Sequence, residues 1–200
     1  MYSVNRPLLI VVSGPAGSGK TTLCMRLTES YPQFIHRVIT CTTRPPRVGE
    51  MDGEDYYFLT RQEFEAQYAA GKFLEKAVVH NNLYGCRKED IAKHLRAGYD
   101  ALLNVDVQGA ASIRNQAESD KTLAESLVTV FVRVTDPVEL RRRLTGRGTD
   151  PVDEIDRRVA ASEYELEHAG HYQHVIESGP KEADFLELNK IYLHEKKSRV

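Results

Sequence analysis

Four short apolar runs divide the chain: LLIVV (8–12), ALLNV (101–105), VTVFVRV (128–134) and HVIE (174–177). Each run is too short for a core helix and rich in branched side chains, which is typical of a buried parallel strand. Segments with helical spacing separate the runs. Strands that alternate with helices predict an α/β fold of three layers with right-handed crossovers.

Two of the helical segments begin with the same signal. In DPVEL (136–140), we expect Asp136 as N-cap, Pro137 as first helical residue and Glu139 in the first turn. The segment TDPVDEIDRRV repeats this start, with Asp150 as the expected N-cap and Pro151 as the expected first helical residue. The expected apolar stripes consist of Leu140 and Leu144 in the first helix, and of Ile155, Val159 and Leu166 in the second.

Residues 36–97 interrupt the alternation. The pieces HRVITCTT, DYYFL, KFLEKAVV and LYG predict short strands bounded by Gly, Pro and Asp. One helix lies between them: Thr60 and Glu63 form a capping box, Phe64 and Tyr68 share a face, and Gly71 ends it. This pattern predicts a small, mostly antiparallel lobe inserted into the α/β core.

Composition and charge exclude several classes of protein. The 200 residues suit one domain, and the net charge of −2 gives no general reason to expect nucleic-acid binding. The apolar run near the N-terminus is too short for a signal peptide or a membrane span. Cys24, Cys41 and Cys86 are widely spaced, so we expect free thiols in a reducing cytoplasm instead of a disulfide or metal site.

The segment GPAGSGKT (14–21) follows the first apolar run and precedes a helical segment. It matches GxxxxGK[ST], the phosphate-binding loop of nucleoside triphosphatases. Its glycines let backbone N–H groups turn inward around phosphate, and the following helix directs its positive end to the same point. Lys20 is expected to reach the outer phosphates, and the Thr21 hydroxyl to ligate Mg²⁺. The loop therefore predicts a nucleoside triphosphate site but does not identify the phosphoryl acceptor.

A regulatory GTPase is one alternative. Asp106 to Gly109 match the DxxG motif of such switches and follow a predicted strand. A GTPase also needs an NKxD-type motif to bind guanine, whereas Asn189-Lys190 is followed by Ile191 and Tyr192. Asp106 is better explained as the acid that ends a strand beside the phosphate loop, where it can orient Mg²⁺ or its waters.

The acceptor side is predicted by the segment TTRPPRVGEMDGEDYYF (42–58). Arg44 and Arg47 lie three apart on a proline-stiffened loop, followed by Tyr56 and, later, Tyr84. Guanidinium and phenol groups brought together in one lobe suggest a bound phosphate. Glu75 stands in a predicted strand between apolar residues, so it either faces water or is buried for a purpose. A carboxylate that accepts two parallel N–H bonds suits the N1–H and N2 edge of guanine.

These motifs together resemble the guanylate kinases, ATP:GMP phosphotransferases, over nearly the whole chain. The resemblance rests on SGPAGSGKTT, CTTRPPRVGEMDGEDYYF, FLE, LYG, NVDVQGA and RRRLTGRGTD, and on an arginine eleven residues after Arg147. It implies a three-layer P-loop NTPase core with a parallel sheet, an inserted small mixed α/β lobe that binds GMP, and a helical lid. The implied boundaries are 1–35, 98–140 and 171–200 for the core, 36–97 for the GMP lobe and about 141–170 for the lid.

The resemblance also implies residue roles. ATP is expected to contact Gly14, Pro15, Ala16, Gly17, Ser18, Gly19, Lys20, Thr21 and Thr22. GMP is expected to contact Thr40, Arg44, Arg47, Tyr56, Glu75, Tyr84, Cys86 and Asp106. Charge neutralisation is expected from Lys20, Arg44, Arg147 and Arg158, and Mg²⁺ binding from Thr21 and Asp106, the latter directly or through water. The reaction would be in-line transfer from ATP to GMP or dGMP without a general base.

Three departures from the family pattern bear on these roles. Cys86 replaces the usual Ser or Thr, so either its thiol faces guanine as a weak donor or it packs in an apolar pocket. Asn104 stands where an acid is more common, and Glu177-Ser178-Gly179 replaces Val-Asn-Asp, which affects the expected contacts to adenine.

A non-catalytic binding module with this fold is the second alternative, but such modules usually lack the intact loop that Gly14, Gly19, Lys20 and Thr21 supply here.

Overall fold

The computed structural model describes residues 6–79, 81–146, 148 and 150–199. Its strands, in chain order, are β1 (Leu9–Ser13), β2 (Ile35–Arg37), β3 (Cys41–Thr42), β4 (Tyr57–Phe58), β5 (Phe73–Val79), β6 (Asn82–Arg87), β7 (Asp100–Asn104), β8 (Leu127–Arg133) and β9 (His174–Glu177). Its α-helices are α1 (Lys20–Ser30), α2 (Arg61–Ala69), α3 (Lys88–Arg96), α4 (Val107–Ala117), α5 (Lys121–Ser126), α6 (Pro137–Gly146), α7 (Val152–Glu167) and α8 (Lys181–Ser198). A short 3₁₀ helix spans His168–His171.

A five-stranded sheet forms the core in the order β2-β7-β1-β8-β9, and all its neighbouring pairs are parallel. The four apolar runs supply β1, β7, β8 and β9, as predicted. The boundaries of β1, β7 and β8 differ from the predicted ones by one residue, and those of β9 agree with them. The α/β fold class with a parallel sheet is thereby confirmed.

Helices cover both faces of this sheet. Alternate strand residues Ile10 and Leu102 pack on one side with side chains from α1 and α8. Val11 and Leu103 pack on the other side with side chains from α3 and α4. Because both faces are covered, the strands need uninterrupted apolar sequence, which explains the runs seen in the sequence.

A smaller sheet has the order β4-β3-β6-β5. The pairs β5–β6 and β3–β6 are antiparallel, and β3–β4 is parallel. Its own core includes Cys41, Phe64, Phe73 and Leu83, and the rings of Phe64 and Phe73 stack at 4.5 Å. The mostly antiparallel sheet expected from residues 36–97 is present, and the capping box of Thr60 and Glu63 begins α2 as predicted.

One part of the predicted inserted lobe belongs elsewhere. His36 and Arg37 lie in β2, the edge strand of the large sheet, where they pair with Ala101 and Leu102 of β7. The predicted run HRVITCTT therefore divides between two sheets. The chain leaves the large sheet after Arg37 and enters the small one at Cys41.

The start of α6 is confirmed, but that of α7 was predicted wrongly. The Asp136 carboxylate accepts a hydrogen bond from the backbone N–H of Val138 at 2.9 Å. The second helix begins at Val152, with Pro151 at the N-cap position and no side-chain cap. Asp150 instead accepts a hydrogen bond from Arg158, because a charge-assisted bond to a guanidinium is stronger than one to a neutral amide.

None of the helices that the structure describes has the length and apolar composition needed to cross a membrane.

Candidate active site

A cleft of about 520 Å³ opens between the end of β1, the small sheet and helix α7. Its lining includes nine of the residues that the sequence singled out: Gly14, Ala16, Lys20, Thr40, Tyr56, Glu75, Tyr84, Asp106 and Arg158. Residues from distant parts of the chain meet here because the carboxyl ends of parallel strands β1 and β7 share one edge of the large sheet.

The phosphate-binding loop lies between β1 and α1 and is held in its shape by glycine. Gly14 has a φ of 135°, and a Cβ there would lie 2.3 Å from the carbonyl oxygen of Val132 in β8. Gly17 has a φ of 90°, and a Cβ there would lie 2.9 Å from a methyl group of Leu140. A larger residue at either position would require both an unfavourable backbone and a displaced neighbour.

Lys20 and Thr21 follow at the start of α1. The Lys20 ammonium folds back over the loop and donates to the carbonyl oxygens of Gly14 at 2.6 Å and Pro15 at 2.8 Å. The Thr21 hydroxyl accepts a hydrogen bond from the side-chain amide of Asn104 at 3.2 Å. Asn104 ends β7, the neighbour of β1, so the loop and the end of β7 are joined by a side-chain contact.

Asp106, two residues after Asn104, is the N-cap residue of α4. Its carboxylate accepts from the backbone N–H of Gly109 at 2.8 Å. This N-cap bond accounts for Asp106, and the 2.6 Å between a Cβ on residue 109 and Oε2 of Glu75 accounts for Gly109, so the DxxG pattern needs no GTPase switch. Burial raises the pKa of Asp106 above its ordinary value, although the bonds from α4 and the charge of Lys20 oppose that rise.

Glu75 is buried in β5 and faces the cleft, which decides between the two positions the sequence allowed. Only 4% of the residue is exposed. Burial, and secondly the nearby charge of Asp106, raise the pKa of Glu75 to about 8, while a hydrogen bond from the backbone N–H of Cys86 opposes the rise. A Cβ on Gly109 would lie 2.6 Å from Oε2 of Glu75, so this carboxyl group rests against the first turn of α4.

Comparisons with known proteins bear directly on this cleft. Residues 6–194 match the family model described as guanylate kinase. The chain is 45% identical to the guanylate kinase of Dechloromonas aromatica, over 84% of this chain and 79% of that protein. It is 36% identical to the guanylate kinase of Novosphingobium aromaticivorans, over 98% of this chain and 85% of that protein.

The chain belongs to the guanylate kinase family.

A solved structure agrees with this assignment. The guanylate kinase from Anaplasma phagocytophilum superimposes with a TM-score of 0.75 at 28% identity, and the match covers 97% of this chain and 89% of that one. A gluconokinase from Sinorhizobium meliloti, with a TM-score of 0.54 at 15% identity, shares the fold alone. As a member of the guanylate kinase family, the chain is an enzyme that phosphorylates GMP with ATP.

The arginines that the guanylate kinase pattern singled out differ in their placement. Arg44 forms an ion pair with Glu50 at 2.8 Å, and its guanidinium lies 5.5 Å from the ring centre of Tyr56. Arg47 is exposed, and only its backbone N–H bonds to Glu50. Neither is among the residues that line the cleft. Arg158 does line it, whereas Arg147 lies outside the described residues.

Cys86 corrects the expectation that its thiol lines the GMP site. The residue is fully buried, among apolar side chains that include Leu74 and Ile91, and is not part of the cleft lining. Its thiol lies 3.7 Å from the carbonyl oxygen of Arg87, and burial raises the pKa of the thiol well above its ordinary value. The arrangement matches the alternative that the thiol packs, and only the backbone N–H of Cys86 reaches Glu75.

Helix α7 contributes residues that the sequence analysis missed. Besides Arg158, it places Arg157, Ala161 and Glu165 along the cleft. Burial raises the pKa of Glu165 to about 7, with the charge of Lys20 opposing and that of Asp106 adding to the rise. Arg158, Ala161 and Glu165 follow helical spacing, but that spacing alone does not say which face of a lid helix meets the cleft.

The contact between Gly109 and Glu75 predicts the effect of a single methyl group. Alanine normally stabilises a helix relative to glycine, so Gly109→Ala should fold. Its methyl group would displace the Glu75 carboxyl group and raise KM for GMP by about tenfold or more, the scale of one lost hydrogen bond to a charged group. KM for ATP should change by less than about twofold.

Gly170→Ala is the matched control, because a Cβ there meets nothing within 4 Å. An unchanged KM for GMP in Gly109→Ala would show that the position of the Glu75 carboxyl group for GMP binding does not depend on the space beside Gly109.

The raised pKa of Glu75 predicts a pH dependence of GMP binding. The free enzyme holds a neutral Glu75 below about pH 8, whereas a carboxylate is needed to accept two N–H bonds from guanine. Binding should therefore release a proton, and affinity should be lost as the pH falls through about 8. We expect KM for GMP to fall by about tenfold from about pH 6.5 to about pH 8.

Glu75→Gln removes the titrating group and should make KM for GMP higher and nearly independent of pH. Steady-state kinetics over this range, with saturating ATP, provide the measurement. The same slope in both enzymes would assign the dependence to another group.

Proposed function

We propose that guanine occupies the acidic end of the cleft, between Glu75 and Asp106. The proposal is supported by the burial of Glu75 against α4 and by the absence of a large side chain at Gly109. Two acceptor groups suit the N–H donors on the guanine edge, whereas adenine would present a different pattern. The single observation that carries the proposal is the buried Glu75 carboxyl group that faces the cleft.

The GMP phosphate is proposed to bind where the small sheet meets the loop that carries Arg44. Thr40, Tyr56 and Tyr84 line this part of the cleft, and the Arg44 guanidinium lies 5.5 Å from the ring centre of Tyr56. The ion pair of Arg44 with Glu50 holds the guanidinium near these hydroxyl groups. A phosphate bound there can accept hydrogen bonds from the guanidinium N–H groups that Glu50 leaves available. Arg47 would join this site only after its side chain turns inward from solvent.

ATP is proposed to bind through residues 14–22. Backbone N–H groups of the loop and of the first turn of α1 are proposed to bind the phosphates, and the Lys20 ammonium group lies over the loop. The two carbonyl oxygens that Lys20 contacts position its ammonium group over the loop without neutralising its charge. A phosphate that enters the loop can therefore share this ammonium.

Catalysis is proposed to depend on charge neutralisation and not on a general base. The attacking phosphate oxygen of GMP is already ionised near neutral pH, so the main obstacle is repulsion between two polyanions. Lys20, Arg44, Arg147 and Arg158 are the cations proposed to offset this repulsion. Closure of the small sheet and of residues about 141–170 over the large sheet would exclude water, a competing acceptor.

Mg²⁺ is the proposed cofactor, and the donor atoms present fit it. Within the described ranges, no cluster of three or more His, Cys, Asp or Glu residues could enclose a metal ion. Mg²⁺ in kinases needs only one or two protein oxygens, since waters and substrate phosphates complete its shell. Thr21 and Asp106 supply a hydroxyl and a carboxylate. The ion would offset the negative charge that develops on the phosphates during transfer.

The phosphate-binding loop separates this proposal from a peptide-binding module. A module without catalysis has no need of the positive-φ glycines at Gly14 and Gly17 or of a lysine held over them. Three buried free thiols, Cys24, Cys41 and Cys86, support the further proposal that the enzyme works in a reducing cytoplasm.

Lys20→Ala tests the catalytic proposal. Because Lys20 should stabilise charge that develops in the transition state, we expect kcat to fall by at least about a hundredfold. ADP formation by a coupled assay, with saturating ATP and GMP, provides the measurement. Lys93→Ala, at an exposed position of α3, is the control and should retain normal kcat. A near-normal kcat in Lys20→Ala would contradict the proposed role of the loop.

A further inference from the structure

The side chain of Arg158 is bound by two carboxylates, Asp150 and Glu154, which precede it in the chain. The Nε of Arg158 donates to Oε1 of Glu154 at 2.8 Å, and its Nη1 donates to Oδ2 of Asp150 at 2.9 Å. All three side chains are largely buried, with 20% of Arg158, 12% of Asp150 and 11% of Glu154 exposed. Buried pairs of this kind are screened far less by salt than surface pairs.

The two bonds approach the guanidinium from its Nε and Nη1 positions. They use two of its five N–H donors, and no residue in the described part of the chain accepts from Nη2. Arg158 at the same time lines the cleft that contains Lys20. The fork is therefore fixed at one side and has donors left for a ligand at the other.

An arginine without these two bonds would lose more side-chain conformational entropy on binding a phosphate than Arg158 does. Its long side chain has many rotamers, and holding them fixed in advance lowers the cost of the catalytic geometry. Glu154 lies one helical turn before Arg158, and Asp150 lies just before α7 begins. The pair thus anchors Arg158 at the start of the helix that borders the cleft.

We propose that Asp150 and Glu154 are positioning residues that fix the Arg158 guanidinium for contact with the transferred phosphoryl group. The proposal rests on the proposed catalytic role of Arg158. It explains why Asp150 does not cap α7: its carboxylate is committed to the arginine. The opposite possibility, that the carboxylates withhold Arg158 from phosphate, predicts changes of opposite sign.

The test compares Asp150→Asn, Glu154→Gln, Arg158→Ala and the triple variant by steady-state kinetics in the full chain. We expect Arg158→Ala to lower kcat by about a hundredfold. Each carboxylate variant should lower kcat by about tenfold, the scale of a misplaced catalytic group, while KM for ATP and GMP changes by less than about twofold. Once Arg158 is alanine, the two carboxylate substitutions should lower kcat no further.

Asp153→Asn is the matched control, since Asp153 is an exposed acid of the same helical turn and should retain normal kcat. Thermal unfolding midpoints separate loss of fold from loss of positioning. A raised kcat in Asp150→Asn or Glu154→Gln, an unchanged kcat with only a lower midpoint, or a further loss in the triple variant would overturn the proposal. A normal kcat in Arg158→Ala would overturn both it and the proposed role of Arg158, whereas a loss confined to Arg158→Ala would leave that role intact.

Discussion

The parallel pairing of β1 between β7 and β8 is the constraint on which the site depends. It places the phosphate-binding loop, Asn104 and Asp106 at the carboxyl ends of neighbouring strands, so that Gly14 and Asp106, more than ninety positions apart, line one cleft. The backbone of β8 comes so close that a Cβ on Gly14 would lie 2.3 Å from the Val132 carbonyl oxygen. The loop glycine is therefore required by the packing of the sheet as well as by the loop conformation.

Charge divides the cleft into two ends with different chemistry. At one end, Lys20 is held by carbonyl oxygens and Arg158 by Glu154 and Asp150, and Arg44, which lies outside the cleft lining, is held by Glu50. At the other end, burial keeps Glu75 protonated until about pH 8. A substrate with N–H donors at one end and a phosphate at the other matches this polarity. In the proposed binding mode, nucleotide recognition and phosphoryl transfer both use this preorganised arrangement of charges.

Local sequence signals predicted much of this arrangement. The apolar runs located four of the five strands of the large sheet, since strands buried on both faces must be apolar throughout. The loop motif and the helix starts at Asp136 and Thr60 were also predicted correctly, because they depend on neighbouring residues. Glu75 was recognised as unusual for its apolar surroundings, but only the fold shows that it is buried against Gly109.

Features that depend on contacts beyond the local sequence pattern were predicted wrongly or left open. Asp150 has the sequence context of a helix cap, yet a guanidinium eight residues away competes for its carboxylate and wins. His36 resembles the start of a small-sheet strand but pairs with Ala101 in the large sheet. The Cys86 thiol lies on a strand whose neighbour Tyr84 lines the cleft, but helix packing covers it completely. In each case tertiary packing overrides a local signal.

Whether the acidic end of the cleft selects guanine is tested most directly by kcat/KM for GMP and for AMP, measured from ADP formation at saturating ATP. A site whose buried acceptors must be paired rejects a ligand that lacks the matching donors by roughly 10⁴-fold or more. We expect a preference of that size for GMP. Comparable kcat/KM values for the two nucleotides would contradict it.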